Sequence, residues 1–308
     1  MEKIAYVFPG QGSQAVGMLA DLAAEHDVIG QTFAEASQVL GYDLWQLVQE
    51  GPDETLNQTD KTQPALLTAS VAIWRVIAST NAPKPAILAG HSLGEYSALV
   101  CAGVMSFTDA VKLVELRGQL MQQAVPAGTG AMYAIIGLDN EAIQTACDEA
   151  AQGAVVSPVN YNSPGQVVIA GEKSAVERAA AACKAAGAKM AVALPVSVPS
   201  HCELMKPAAD KLAEALAAIE FNIPVIDVIN NVDVAAPQAA DAIKDALVRQ
   251  LYCPVRWSET VDAMAADGVT QLVEVGPGKV LTGLAKRINR SLSAQVANDP
   301  VTVAALSE

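Results

Sequence analysis

Histidine is scarce in this chain. Only His26, His91 and His201 occur among 308 residues, so any chemistry that needs an imidazole must choose among three. Basic residues are few as well: 19 Lys and Arg stand against 33 Asp and Glu, for a net charge of −14. A field of that sign argues against nucleic acid as a partner, because phosphate binding needs a basic surface. It argues equally against an anionic membrane surface. Paired cysteines are missing: Cys101, Cys147, Cys183, Cys202 and Cys253 are scattered, odd in number and form no CxxC. Neither a disulfide framework nor a zinc site is expected, and a reducing cytoplasm fits best. No apolar run approaches the length of about 18 residues that spans a bilayer. The opening run through Phe8 stops at Pro9, too short for the apolar region of a signal peptide, and reads as a strand.

What is present is a large apolar fraction, 52%, with 17% charged residues, which excludes intrinsic disorder. At roughly 150 residues per domain the length suits two domains, or one with an insertion. The pattern reads as α/β. Ile4 to Phe8 is a buried strand that runs into the glycine-rich turn Pro9-Gly10-Gln11-Gly12-Ser13-Gln14. Residues 15–50 read as helices with loops, and a helix opens at Thr62-Gln63-Pro64. A short strand over 85–89 leads into Gly90-His91-Ser92-Leu93-Gly94 and a helix from Glu95 to Cys101. Ser106, with Asp109 three residues on, is an N-cap signal for a helix reaching Ala124. Residues 126–198 then follow the order βαββαβ, the ferredoxin-like pattern, and read as a small inserted domain. Residues 1–125 and 199–308 make up the rest. Val280 to Ile288 is the last strong helix, and 291–308 carry no firm pattern.

Gly90-His91-Ser92-Leu93-Gly94 is a GxSxG motif between an apolar strand and a helix. A sharp strand-to-helix turn lifts a serine oxygen out of the core, and flanking glycines permit the close turn. The helix start and the Leu93 N–H can then stabilise an oxyanion. The plain alternative is a glycine-flanked serine in an ordinary turn. A nucleophilic serine needs a base. His91 adjoins Ser92 and should point elsewhere, bracing the elbow, while His26 sits between Glu25 and Asp27 as surface. His201 is the base by elimination, with a helix N-cap as its bland role. Arg117 falls on the apolar stripe of Ala110, Leu113, Val114, Leu120 and Met121. A guanidinium facing a core needs an anionic partner, either within the protein or as a substrate carboxylate. Gly10 to Ala15 also matches a GxGxxA dinucleotide fingerprint, but the second strand it requires is missing, since Val28 to Leu40 reads as helix. The loop instead offers Gln11, whose N–H could be a second oxyanion donor.

Taken together, Phe8 to Gln14, Gly90 to Glu95, Arg117, Val198-Pro199-Ser200-His201 and Glu274 to Gly278 resemble the malonyl-CoA:acyl carrier protein transacylases of bacterial type II fatty acid synthesis, over nearly the whole chain. The resemblance implies a hydrolase-like large domain with a mostly parallel sheet plus the ferredoxin-like insertion. It implies an acyl-serine at Ser92, a base at His201 and a carbonyl at Gln250 that orients the histidine. It further implies oxyanion donors at Gln11 and Leu93, and a substrate site of Arg117, Met121 and Gln11. The expected partners are malonyl-CoA and acyl carrier protein, with no nucleic acid and no membrane, for a monomeric enzyme needing no metal or redox cofactor. Modular synthases often carry phenylalanine immediately before the histidine as part of a specificity code. Here Ser200 stands there, so that code does not apply. The alternatives are a serine hydrolase such as a thioesterase, which leaves Arg117 and the insertion unexplained, and a dinucleotide-binding protein. The densest basic group is Lys279, Lys286, Arg287 and Arg290, with Lys279, Lys286 and Arg290 expected near one helical face as a docking patch.

Overall fold

The computed structural model describes residues 3–196 and 198–307. Its strands are β1 (Lys3–Phe8), β2 (Ile87–Gly90), β3 (Gly130–Ile136), β4 (Val156–Ser163), β5 (Gln166–Glu172), β6 (Met190–Ala193), β7 (Asp227–Ile229), β8 (Val269–Val275) and β9 (Ser293–Ala297). Five form a parallel sheet in the order β7-β2-β1-β8-β9. The other four form an antiparallel sheet in the order β4-β5-β3-β6, with the helices Asn140–Ala151 and Lys173–Ala185 in the chain between them.

β1 is buried on both faces. Tyr6 and Phe8 pack into one apolar cluster and Ala5 and Val7 into another, as the two-residue period of a strand dictates. In register, Phe8 lies opposite Gly90, so the loops leaving β1 and β2 emerge side by side. Those leaving β7 and β8 join them at the carboxyl edge of the sheet, where open α/β sheets place their ligands. The antiparallel sheet packs Ile135, Val167 and Ile169 against its helices. It turns Met132, Val159 and Val168 toward Cys202, next to His201.

Ser106 caps the Phe107–Ala124 helix as expected: its Oγ accepts from the Asp109 N–H at 3.1 Å and donates to Asp109 Oδ2 at 2.7 Å. Three expectations are corrected. The helix expected from Thr62 begins at Thr59, with Pro64 inside it. Proline there forfeits only the bond to the Asp60 carbonyl, and Gly118 lets the neighbouring helix close on that turn, where a Cβ would stand 2.6 Å from Asp60 Cα. The stretch expected to lack a pattern, 291–308, carries structure in its described part, 291–307: β9 pairs in parallel with β8, and the helix Pro300–Ala304 is capped by Asp299. The edge strand Ser-Ala-Gln-Val-Ala is only five residues long and mostly small or polar, too weak an apolar signal to stand out without its pairing partner. Arg290 lies beyond the helix Val280–Ile288 and does not share a helical face with Lys279 and Lys286.

The elbow rests on two glycines. A Cβ on Gly90 would lie 1.9 Å from Gly94 C, and one on Gly94 would lie 2.1 Å from Phe8 O. Gly90→Ala should therefore cost at least about 2 kcal/mol in denaturant unfolding, because only backbone could yield. Gly30→Ala, on a helix with nothing within 4 Å of the new methyl, should stabilise by roughly 0.5–1 kcal/mol. Equal effects of the two would mean that the elbow is not tightly packed.

Candidate active site

Ser92 lies two residues past the end of β2 and holds a left-handed backbone, φ 51°, a conformation costly to a residue with a side chain. The Asn231 side chain holds this turn from both ends. Its Oδ1 accepts from the Ser92 N–H at 2.8 Å and its Nδ2 donates to Gly90 O at 2.7 Å. His201 is left-handed too, φ 65°, and its N–H donates to Leu251 O at 3.0 Å. Ser92 Oγ and His201 Nε2 are 2.8 Å apart, and His201 Nδ1 is 2.6 Å from the Gln250 main-chain oxygen. A carbonyl oxygen only accepts, so Nδ1 carries the proton and Nε2 is left bare to accept from the serine hydroxyl. The orienting group is thus the main-chain oxygen of Gln250, at the last turn of the Ala240–Gln250 helix. Burial, then the Arg117 charge, push the His201 pKa down to about 3, so the imidazole is neutral.

Arg117 is 1% exposed. Its Nη1 donates to Gln63 Oε1 at 2.8 Å, and its Nη2 to Gln250 Oε1 at 3.0 Å and more loosely to Ser92 Oγ at 3.4 Å. Nε has no partner among the described residues, and the guanidinium carbon lies 5.3 Å from the Tyr96 ring centre. No carboxylate of the described residues comes within 4 Å of it. Burial holds its pKa below the ordinary guanidinium value. A buried cation satisfied only by neutral oxygens is poised for an anion from outside.

Ser92, His201 and Arg117 share one cleft of about 630 Å³ with Gln11, Leu93 and Met121. Neither the Gln11 nor the Leu93 N–H has a hydrogen-bond partner among the described residues. Met121, 2% exposed, places Sδ 3.5 Å from Gln63 Nε2. All seven residues singled out in the sequence therefore meet here. His91 also borders the cleft, but its ring is engaged elsewhere: its Nε2 is 2.8 Å from Asn162 Oδ1 in β4 and its ring tilts against Trp257. His26 lies at the junction of two surface helices. Glu274 has a structural task, accepting from the Leu281 and Thr282 N–H groups that open the Val280–Ile288 helix. The glycine-rich loop after β1 is followed by helices, the second being Asp27–Leu40, so no nucleotide-binding strand follows.

Sequence reasoning missed Gln63, Glu95 and Asn231. Gln63 carried a signal, a polar side chain in line with Leu66, Leu67 and Ser70 on one helix face. Asn231 carried none, because its partners lie about 140 residues away in the chain. Among the described residues no group of three or more His, Cys, Asp or Glu could hold a metal ion, and no helix is long and apolar enough to cross a membrane.

A serine on a strand-to-helix elbow, 2.8 Å from a histidine whose other nitrogen meets a main-chain carbonyl, is an arrangement suited to serine acyl transfer. Residues 5–306 match the model of the acyl transferase domain family, and the chain is an acyltransferase. Over 308 residues, all of both chains, it is 67% identical to the malonyl CoA-acyl carrier protein transacylase of Escherichia coli strain K12. It superposes on the crystal structure of an acyl carrier protein S-malonyltransferase from Vibrio cholerae with a TM-score of 0.97, at 70% identity and 99% coverage of each chain. A malonyl-transacylase solved in complex with its type II polyketide synthase acyl-carrier protein matches with a TM-score of 0.98, at 67% identity, covering 99% of this chain and 98% of that one. The chain belongs to the malonyl CoA-acyl carrier protein transacylase family.

Proposed function

We propose that the chain moves malonyl groups from malonyl-CoA to the phosphopantetheine thiol of acyl carrier protein for fatty acid biosynthesis, by a ping-pong route through a malonyl ester on Ser92. The observation that carries this reading is the pairing, in one cleft, of the Ser92–His201–Gln250 chain with a buried arginine that has no acidic partner among the described residues.

Ser92 passes its proton to His201 Nε2 as Oγ attacks the thioester carbonyl. The N–H groups of Gln11 and Leu93 hold the oxyanion as charge develops. The tetrahedral intermediate collapses, coenzyme A leaves, and His201 returns the proton to its sulfur. The carrier thiol then gives its proton to His201 and attacks the ester, and Ser92 leaves as the hydroxyl. Arg117 holds the malonyl carboxylate by its fork, with Met121 packing alongside. Arg117 is the second cause of the low His201 pKa. A carboxylate on the guanidinium offsets that charge, so the imidazole becomes a stronger base when malonyl rather than acetyl is bound. No metal or redox cofactor enters these steps.

Residues 1–125 and 199–308 form the catalytic, hydrolase-like domain in this reading, and 126–198 a ferredoxin-like insertion. The strand order β4-β5-β3-β6 and the βαββαβ succession support it. Free cysteines, four of the five buried, suit a cytoplasmic enzyme.

Mass spectrometry after brief exposure to malonyl-CoA or acetyl-CoA, without a thiol acceptor, tests the proposal. A malonyl adduct on Ser92 that persists in water is expected. Rapid hydrolysis would favour a thioesterase, and an adduct on Ser13 would overturn the assignment.

Docking is the step that net charge opposes, since the carriers used by this family are acidic. Lys279 and Lys286 flank one groove on the Val280–Ile288 helix, and Gly278 packs against Ser13 in the loop that carries Gln11. Lys279 thus adjoins the loop that carries Gln11, which supports reading this group as a local positive patch for the carrier. Lys279→Glu with Lys286→Glu should raise the apparent KM for the carrier about three- to tenfold and leave that for malonyl-CoA unchanged. Equal changes for both substrates would remove the patch from consideration.

A further inference from the structure

Among the described residues the buried acids are Glu95 and Glu274, and only Glu274 has its task in capping a helix. Glu95 is 2% exposed and lies in the first turn of the Gly94–Cys101 helix, directly behind the elbow. No lysine or arginine of the described residues comes within 4 Å of it. Its Oε2 accepts from the Asn231 N–H at 2.9 Å and from Gln250 Nε2 at 2.8 Å. The other end of the same amide, Gln250 Oε1, accepts from Arg117 Nη2 at 3.0 Å.

One neutral amide therefore stands between a buried carboxylate and a buried guanidinium. Charge at both ends fixes its orientation, with its donor toward the anion and its acceptor toward the cation. The reversed amide would set oxygen against carboxylate and NH₂ against guanidinium, and both bonds would be lost. The Gln250 main chain is meanwhile the seat of His201 Nδ1, and Asn231 holds Ser92. Glu95 thus touches neither substrate nor base, yet both supports of the site end on it.

We propose that Glu95 is a positioning residue that sets acyl specificity: the buried counter-charge of Arg117, acting through the Gln250 amide to aim the guanidinium and to limit how tightly it holds the acyl carboxylate. The proposal rests on the reading of Arg117 as the carboxylate clamp. A transferase gains nothing from a clamp that binds substrate and transition state with equal, excessive strength. An unbalanced buried cation would do that. Burial raises the Glu95 pKa to about 7, and above that pH the carboxylate behind the guanidinium is an anion that weakens its field at the acyl carboxylate.

The test uses a Ser92→Ala background, in which thioesters bind without reacting, with calorimetric titration of malonyl-CoA and acetyl-CoA at about pH 8, above the raised pKa of Glu95, where the carboxylate is ionised. Glu95→Gln keeps an oxygen for both hydrogen bonds and removes the charge. It should tighten malonyl-CoA about three- to thirtyfold, the scale of one charge acting across a partly screened interior, and leave acetyl-CoA unchanged. An unchanged or smaller malonyl-to-acetyl ratio overturns the proposal, as does equal weakening of both ligands, the mark of a merely structural residue. Arg117→Ala on the same background separates the two readings. If it abolishes discrimination while Glu95→Gln does nothing, only the Glu95 proposal fails. If it leaves discrimination intact, the clamp reading fails and the Glu95 proposal falls with it. Should Glu95→Gln not fold, Glu95→Asp retains the charge and should keep the ratio even where both affinities drop. A risen ratio there overturns the proposal.

Discussion

Replacing His201 by alanine is expected to slow malonyl-enzyme formation by about three to six decades with the fold retained. The imidazole is the sole base within reach of Ser92 Oγ among the described residues, at 2.8 Å, and the Gln250 carbonyl already fixes its tautomer. His91→Ala should cost far less in rate, since that ring is committed to Asn162 and Trp257. Rapid-quench acylation of the two variants decides between them. A larger loss in His91→Ala, with an unchanged melting curve, would reverse the assignment. The same burial predicts a stability signature. The folded His201 resists protonation down to about pH 3, whereas the unfolded chain takes its proton near 6.5. The unfolded state therefore binds more protons in that window, so stability is full above 6.5 and is lost as pH falls toward 3, by at most about 1.4 kcal/mol per pH unit. His201→Ala should flatten the pH dependence of unfolding in that window. A slope equal to that of the parent would show that the imidazole titrates normally.

Arg117→Ala should cut malonyl transfer roughly 30-fold to several thousand-fold while acetyl transfer holds steady or rises. The range follows from the cost of truncating one side of a sheltered charge pair, about 2–5 kcal/mol, at 1.4 kcal/mol per decade. With acetyl bound, the guanidinium keeps its desolvation cost and gains no partner, which is why the loss is selective. Arg117→Lys should recover only part, because an ammonium reaches one oxygen where the fork reaches two. Lysine would also forfeit at least one of the bonds to Gln63 and Gln250 that now aim the group. Acyl-enzyme formation from both thioesters is the measurement. If the two activities fell together in a folded protein, Arg117 would be structural and the preference for malonyl would have to come from elsewhere in the cleft.

Much of the molecule is legible in its sequence, and for identifiable reasons. The strand at Ile4 to Phe8 is apolar throughout because both of its faces are buried. Ser106 and Asp109 announce a helix start through short-range hydrogen bonds that need no tertiary partner. Ser92 could be found because an elbow is a local device, with glycines at 90 and 94 forced by contacts a few residues away or with the adjacent strand. Arg117 could be found because a charge on an apolar stripe is visible at a spacing of three and four residues. His201 needed elimination among three histidines, an argument that only their scarcity made possible.

Local chemistry runs out where partners are distant. The expected helix start at Thr62 missed a turn whose place is set by contact with Gly118, and β9 exists only because β8 offers it an edge. Asn231 reads as an ordinary loop residue, yet it ties Gly90 and Ser92 to Gln250 and Glu95. Residue types and their short-range spacing marked the serine elbow, the arginine and the α/β class, since each rests on geometry within a turn or a strand, while malonyl transfer was implied by the family resemblance. The Gln250 carbonyl was implied by the family resemblance and by nothing local, and the fold sets it 2.6 Å from His201 Nδ1. The tertiary structure alone decided that the arginine is held by two glutamines rather than an acid, and that Glu95 lies behind them. Those contacts join residues separated by 49 to 155 positions, and the closure of the parallel sheet is what brings them within hydrogen-bond reach.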